Sequence, residues 1–277
     1  MNIFHGAHST ILDAFDYFPA VEGSSITASS LNSAKLTSNY AITYQPGTLA
    51  EDGYYEIGNV GQLYWFALQV NRNTDFGKPF YARLVSDITV NEGLLNEYGE
   101  LNTEMEHRNW IMLSDGSHSS FNGVFDGNYH TISGLYVSNE NAQYAAFIGM
   151  LRNGCVKNLG ITDSYFSTGY TAAAFVGTGN GTIENCFVTN TVIKGTTADS
   201  FMATHMGSSS NFDYENMTRQ CWSAAEVYVD GVKTEAAKPH EFYTQNIYYL
   251  ADTDNGRGGK TASQFASGEV AYLLGTP

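Results

Sequence analysis

The sequence repeats itself between Ile132 and Asn190, and this internal repetition constrains the fold more than any other feature. Three segments share three apolar residues at fixed spacing, followed by Ser or Thr and then by Asn or Asp. They start 24 and then 27 residues apart and comprise Ile132–Asn139, Val156–Asp163 and Ile183–Asn190. Spacing of this kind indicates one structural unit used several times.

A second motif recurs between these segments. Ala146-Phe147-Ile148-Gly149 returns 28 residues later as Ala174–Gly177, and Phe201-Met202 resembles a degraded third copy. A period of about 25 residues with short strands and Gly or Asn corners is typical of a parallel β-solenoid. The sequence therefore predicts an all-β fold, a parallel β-solenoid. A β-sandwich with chance similarity between its strands is the alternative.

The repeat alignment makes specific predictions about side chains. Identical positions of successive repeats should stack, which predicts an inward column of Leu135, Leu159 and Cys186. It also predicts a corner column of short polar residues that tolerate left-handed backbone geometry, namely Asn139, Asp163 and Asn190. The cysteines Cys155, Cys186 and Cys221 are too far apart for a CxxC site and are expected to be small buried residues.

A solenoid has two open ends that need cover, and two helical patterns suit this role. Apolar residues recur at helical spacing in 59–72, where Asn59 is the expected N-cap. A second helix is predicted over 261–274, with Thr261 and Gln264 in capping positions. The predicted organisation is an unassigned, irregular or loosely stranded segment at 1–50, a lead-in and capping helix at 51–75, the β-helix at 76–258 and a C-terminal helix at 259–277.

Charge and composition narrow the classes of partner. The 13 Lys and Arg against 28 Asp and Glu give a net charge of −15, which disfavours nucleic acid and anionic lipid. No run of 18 apolar residues is present, so we expect no membrane insertion. Charged residues make up only 15% of the chain while Gly and Tyr are abundant. This balance is typical of turn-rich, extracellular β proteins.

Over roughly residues 51–275 the sequence resembles surface proteins of gut Firmicutes that carry GLUG repeats. The resemblance rests on the order of YYEIGNVGQLYWFALQVN, SDITVN, FNGVFDGNYHTISGLYV, YYLADT and KTASQFASGEVAYLL. Such repeats also occur beside peptidase domains in some bacterial immunoglobulin-A proteases. In this chain Ala146–Gly149 and Ala174–Gly177 stand where the family has Gly-Leu-hydrophobic-Gly. The resemblance implies a right-handed parallel β-helix in a secreted or wall-attached protein, and it implies no catalytic residues.

Two clusters could in principle carry chemistry. Asp126 and His130 lie close enough in sequence to form an acid/base pair, although Asp126-Gly127 is also a common turn dipeptide. The segment Asp252–Gly256 is similar to a calcium loop but is one residue short and lacks the final Glu. Turns are the simpler interpretation of both, and we expect neither catalytic residues, a metal nor a cofactor.

Outward-facing aromatic residues are the remaining candidates for ligand binding. On the predicted solenoid these are Tyr136, Tyr165, Phe166 and Phe187. Such side chains can stack on sugar rings or meet a partner protein, and they also simply fit pleated surfaces.

Three classes of function remain. The favoured one is a non-catalytic module of a secreted or cell wall-associated bacterial protein, either an adhesin-like binder of a host glycan or protein or a rigid spacer between neighbouring domains. The first alternative is a β-helix polysaccharide lyase or glycosidase, which needs carboxylates converging on one groove. The second alternative is a self-associating appendage subunit.

Overall fold

A computed structural model describes residues 24–26, 42–72, 79–116, 119–206, 217–236, 244–256 and 258–275. The described strands of the first half are β1 (Ser24–Ile26), β2 (Ile42–Tyr44), β3 (Thr48–Leu49), β4 (Tyr55–Ile57), β5 (Tyr81–Leu84), β6 (Ile88–Thr89), β7 (Val124–Asp126), β8 (Thr131–Ser133), β9 (Tyr136–Ser138), β10 (Tyr144–Ala145), β11 (Ile148–Leu151) and β12 (Cys155–Lys157). Those of the second half are β13 (Gly160–Thr162), β14 (Tyr165–Ser167), β15 (Thr171–Ala173), β16 (Val176–Gly179), β17 (Thr182–Glu184), β18 (Phe187–Gly195), β19 (Thr197–Asp199), β20 (Met202–His205), β21 (Thr218–Val229), β22 (Val232–Thr234), β23 (Thr244–Leu250) and β24 (Gly259–Lys260). The helices are α1 (Val60–Arg72), α2 (Ala262–Ala266) and α3 (Glu269–Gly275).

These strands stack mostly in parallel. One large sheet has the order β3-β4-β5-β7-β12-β17-β21-β18-β13-β8-β6, and two smaller parallel sheets have the orders β10-β15-β19 and β11-β16-β20. Each passage of the chain therefore adds one short strand to several neighbouring stacks. This β-rich arrangement is compatible with a parallel β-helix. The antiparallel pair β1–β2 belongs to residues 1–50, most of which lie outside the described residues.

The second repeat motif stacks as its spacing predicts. Ile148 pairs with Val176 across β11 and β16, and Val176 pairs with Met202 across β16 and β20. The rings of Phe175 and Phe201 stack with centroids 5.8 Å apart. The degraded third copy is thus a real repeat.

The first repeat motif is shifted relative to the predicted alignment. Val156 pairs with Ile183 as expected, but Ile132 pairs with Ile161 rather than with Val156. The cause is that the same apolar spacing lies on β8 and β9 in Ile132–Asn139 but on β12 and β13 in Val156–Asp163, and the partner of β8 is β13.

The shift corrects the predicted inward column. Leu135 and Leu159 are both fully buried, but they belong to different columns. The backbone N–H of Leu135 donates to Ser164 Oγ at 3.0 Å, whereas Leu159 stacks above Cys186. Below Cys186 the column continues to Cys221, whose Sγ accepts a hydrogen bond from the Cys186 N–H.

The predicted corner column is correct for two of its three residues. Asp163 and Asn190 have φ values of 50° and 42°, and the Asn190 amide donates to Asp163 Oδ1. Gly134, with φ of 71°, takes the equivalent place in the preceding repeat. Asn139 lies at another corner, where its side chain accepts from the Asn141 N–H.

Helix α1 forms where the apolar spacing predicts it and covers the first strands. Asn59 Oδ1 accepts from the Gln62 N–H at 3.0 Å, which satisfies one free donor of the first turn. Phe66 is fully buried and packs edge-on against Phe80, Phe121 and Phe125.

The predicted C-terminal helix is two short helices. Thr261 and Gln264 form the expected capping box of α2, but Gly268, with φ of 82°, separates α2 from α3. The ring of Phe265 lies 5.6 Å from Trp222, which faces outward from β21. These contacts place the helices against the outer side of the last strands.

The cysteines and the helices bear on two further predictions. Cys186 and Cys221 are buried as expected, whereas Cys155 is only partly buried; all three are free thiols. Across the described ranges, no helix combines the length and apolar character needed to cross a membrane.

Candidate ligand-binding face

Asp126 and His130 do not form the acid/base pair that their spacing allowed. Asp126 Oδ1 accepts from the Asn128 N–H at 2.8 Å, which is the turn role, and Oδ2 lies 3.2 Å from Lys157 Nζ. His130 Nδ1 lies 3.3 Å from Asp87 instead. The two side chains serve separate structural contacts.

The Asp126–Lys157 pair belongs to a row of alternating charges on the outer side of the sheet. Residues of successive strands in this row are Glu56, Arg83, Asp126, Lys157, Glu184 and Arg219. Ion pairs of 2.8, 3.2 and 2.8 Å join them two by two. An exposed pair contributes at most about 1 kcal/mol, so the main consequence is that each charge in the row has an opposite partner.

Carboxyl groups with displaced pKa values are held in the ionised form. A hydrogen bond from Lys233 lowers the pKa of Glu226, and one from Lys260 lowers the pKa of Asp254. Backbone N–H groups lower the pKa of two others, Asp52 and Asp87. A glycosidase needs one carboxylic acid whose pKa is raised, and these four are displaced the other way.

The calcium-like segment is a turn tied to helix α2. Asp254 Oδ1 accepts from the Gly256 N–H at 2.9 Å, while Oδ2 lies 2.7 Å from Lys260 Nζ. Within the described part of the chain, no group of three or more His, Cys, Asp or Glu side chains could hold a metal ion.

The four predicted binding residues differ in their exposure to solvent. Tyr136 and Tyr165 are partly exposed neighbours on β9 and β14, with ring centroids 6.0 Å apart. Phe166 is fully buried, so the prediction that it faces a ligand is wrong. The strand alternation restarts after the corner at Ser164, which turns Tyr165 outward and Phe166 inward.

Phe187 faces outward but is largely occupied by intramolecular stacking. Its ring lies 5.1 Å from that of Trp222 at an interplanar angle of 6°. On its other side it covers Gly160, where a Cβ would come within 2.3 Å of Phe187 Cζ. Because Phe265 of α2 packs on Trp222, this stack anchors the C-terminal helices.

Tyr136 and Tyr165 begin a longer outward row that we call the tyrosine ladder. It continues, two residues further along the neighbouring strands, through Lys194 of β18 to Tyr228 of β21, because Lys194 is the register partner of Ser167. Lys194 Nζ lies 5.3 Å from the ring centroid of Tyr165 and 5.4 Å from that of Tyr228, so the ammonium is held between two aromatic rings. Sequence reasoning missed Lys194 and Tyr228 because neither belongs to a repeated motif.

One end of the tyrosine ladder meets a depression of about 760 Å³, which we call the Tyr98 groove. Its lining includes Tyr98, Val192, Glu226, Lys233 and Asp252. Tyr98 is 79% exposed and sits on a turn in which Asn96 Oδ1 accepts from the backbone N–H groups of Tyr98 and Glu100, each at 2.9 Å. The turn thus presents an aromatic ring at the rim of a polar groove.

The ladder and the groove share one register column. Tyr136, Tyr165, Val192 and Glu226 occupy equivalent positions on β9, β14, β18 and β21. Glu226 Oε1 lies 2.5 Å from Lys233 Nζ and Oε2 accepts from the Tyr228 hydroxyl at 2.8 Å. The face therefore combines aromatic rings, a held cation and an internally neutralised ion pair.

Comparison with known proteins supports the fold class. No family model matches the chain. It is 35% identical over 81 residues to halomucin of Haloquadratum walsbyi, which is 29% of this chain and 1% of halomucin. A solved structure from Bacteroides ovatus, described provisionally as an immunoglobulin A1 protease, has a TM-score of 0.53 at 19% identity and covers 75% of this chain.

The structural likeness concerns the fold alone, because the identity is low. The chain spans 60% of the length of the Bacteroides ovatus structure. The class of protein is therefore a β-rich architecture of mostly parallel strands. The neighbour's description agrees at this coarse level with the resemblance to repeats found beside immunoglobulin-A peptidases.

Proposed function

We propose that this chain is a right-handed parallel β-helix that acts as a non-catalytic, glycan-binding module of a secreted or cell-surface bacterial protein. The observation that carries the proposal is the tyrosine ladder, with its cation held between Tyr165 and Tyr228. The ring of Tyr165 is contacted by both Tyr136 and Lys194, so a sugar would meet the exposed ring edges of the ladder through its C–H groups and the tyrosine hydroxyls through its polar groups. The adjoining Tyr98 groove adds carboxylate and ammonium groups that can bond sugar hydroxyls.

The state of the carboxyl groups supports binding over hydrolysis. Glu226, the acidic residue where the ladder meets the groove, is paired with Lys233, which lowers its pKa. Such a group is a poor general acid at neutral pH. Asp126, the other candidate, is engaged by a turn and by Lys157.

Placement outside the cell rests on composition and on the named relatives. The chain has few charged residues. Its net charge of −15 favours solubility and disfavours binding to nucleic acid. The resemblance to GLUG-repeat surface proteins and a partial match to a protein named halomucin point the same way. Since the chain covers a small part of halomucin and part of the Bacteroides ovatus structure, we place the module within a longer chain, beside other domains.

The test is a glycan array combined with an assay for new reducing ends on every glycan that binds. We expect binding without cleavage. Tyr165→Ala and Tyr228→Ala should each weaken binding by about 1 kcal/mol, or roughly fivefold. Tyr81→Ala is the matched control, because Tyr81 is an exposed strand tyrosine that stacks on Tyr54 away from the ladder.

Three results would contradict the proposal. Cleavage of a bound glycan would restore the enzymatic alternative. Unchanged binding by both ladder variants would move the site elsewhere, and capture of a host protein with no glycan bound would favour a protein-binding adhesin.

A further inference from the structure

We infer that the ligand is a neutral, extended, linear glycan that runs along the stacking direction of the strands, from the tyrosine ladder into the Tyr98 groove. This inference rests on the proposed function and specifies its ligand. It follows from the positions of the ladder residues, from the concave shape of the groove and from its charge balance.

The register supplies a repeating set of contacts. Tyr136, Tyr165, Lys194 and Tyr228 lie on four successive strands of one stack, Tyr136 and Tyr165 in one outward column and Lys194 and Tyr228 in the next outward column, two residues further along the strands. Neighbouring strands are about 4.8 Å apart and two residues advance about 7 Å along a strand, so the path from Tyr136 to Tyr228 runs obliquely over about 16 Å. The strand spacing is similar to the advance per sugar in an extended β-1,4-linked chain. Such a polymer can place one sugar near each ladder position, whereas a single terminal sugar contacts only one or two.

The groove sets the end at which short ligands bind. It is concave and has Tyr98 at its rim, so it can surround more of a sugar than the flat ladder can. Glu226 lies in the register column of Tyr136 and Tyr165 and also lines the groove. A disaccharide is therefore expected to occupy the groove end, and longer chains to extend toward Tyr136.

Charge selects against anionic polymers. The groove lining contains the acidic residues Glu97, Glu226 and Asp252, but Lys233 is its one basic residue. The whole chain carries a net charge of −15. Lys194 offsets this field locally and is itself held against two rings. A polymer with a carboxylate on each sugar would meet repulsion along the groove.

The experiment is isothermal titration of the full chain with β-1,4-linked oligosaccharides of glucose, xylose and N-acetylglucosamine. Lengths of two to about six sugars bracket the ladder span. The α-1,4-linked glucose series is the matched control, because it has the same monomer in a curved chain. We expect affinity for at least one β-1,4 series to rise with length up to about four sugars and then level off. The curved α-1,4-linked series should bind more weakly. A polyuronate series, which carries a carboxylate on each sugar, should also bind more weakly.

Variants locate the ligand along the path. Tyr136→Ala should weaken binding of the longest oligosaccharide by about three- to tenfold and leave the disaccharide unaffected. Tyr228→Ala should weaken both. Tyr81→Ala should change neither, which separates loss of a contact from a general loss of folding.

The failures of the two proposals are distinguishable. Equal affinity for short and long chains, with no effect of Tyr136→Ala, would indicate that the protein recognises only the end of a glycan. This result would contradict the inference of an extended ligand but would still support glycan binding at this face. Tighter binding of the polyuronates would overturn the neutral class in the same way. Failure of all three β-1,4 series would overturn the inference, and failure of the whole array would overturn the proposed function as well.

Discussion

Replacing Leu159 by Asp tests the inward column that the structure defines. Leu159 is fully buried, lies above Cys186 and is covered on the other side by the backbone of Gly127. A Cβ on Gly127 would come within 2.5 Å of Leu159 Cα, so the strands cannot move closer to fill a gap there.

The expected cost of Leu159→Asp has two parts. Removing a buried Leu side chain costs about 2–5 kcal/mol, because the surroundings relax only partly. A carboxyl group without a partner in an apolar site adds a few kcal/mol, whether it is buried charged or forced to protonate. The sum of about 5 kcal/mol or more is comparable with the whole stability of many domains.

The assay is urea unfolding followed by circular dichroism, with hydrogen exchange to locate the damage. Because each repeat contacts mainly its neighbours, protection should be lost first in β12, β13, β17 and β18. Ser138→Asp is the control, since Ser138 is exposed at the end of β9 and the same carboxylate there should cost less than about 0.5 kcal/mol. Similar unfolding midpoints for parent and Leu159→Asp would refute the inward position of this residue.

Three further predictions follow from local contacts. Gly160→Val should displace the Phe187 ring, shift the tryptophan fluorescence and lower the Tm; an unchanged spectrum would contradict the stacking. Lys260 holds the pKa of Asp254 below its ordinary value near 3.8, so its contribution to stability is present above that pH and is lost on further acidification. Asp254→Asn should therefore flatten the acid side of the pH–stability profile, and an unaltered profile would exclude this pair. Burial raises the pKa of the Cys186 thiol, so iodoacetamide should label it in urea but not in the native protein, as mass spectrometry can establish.

Elements built from local patterns could be predicted from the sequence. Helix α1 follows from its apolar spacing and its Asn59 cap, and the stacking of Ile148 on Val176 follows from a repeated motif of constant length. In both, the information lies within one segment or in an exact repetition. Alignment of similar motifs was the weak point, because one apolar spacing occurs on β8 and β9 in the first segment and on β12 and β13 in the second, so Ile132 pairs with Ile161.

Side-chain direction next to corners could not be predicted. Phe166 was expected outside because it follows a corner next to Tyr165, but the direction of each side chain depends on where the strand alternation restarts. The Tyr98 groove could not be predicted from the sequence for another reason. It joins Tyr98 to residues of β18, β21 and the start of α2, which are about a hundred or more positions away in sequence.

Stacking itself explains why the candidate face lies where the repetition is broken. Along the regular columns of the described residues, groups satisfy one another: the inward column is apolar, Asp163 bonds Asn190, and the charged row neutralises itself in pairs. Groups satisfied in this way offer little to a ligand. In the column of Ser138 and Ser167 the next two positions are instead Lys194 and Tyr228. These residues place a cation and an aromatic ring on the outer surface. The same break adjoins the Tyr98 groove, so the irregular positions of this repeat fold are the ones that can recognise another molecule.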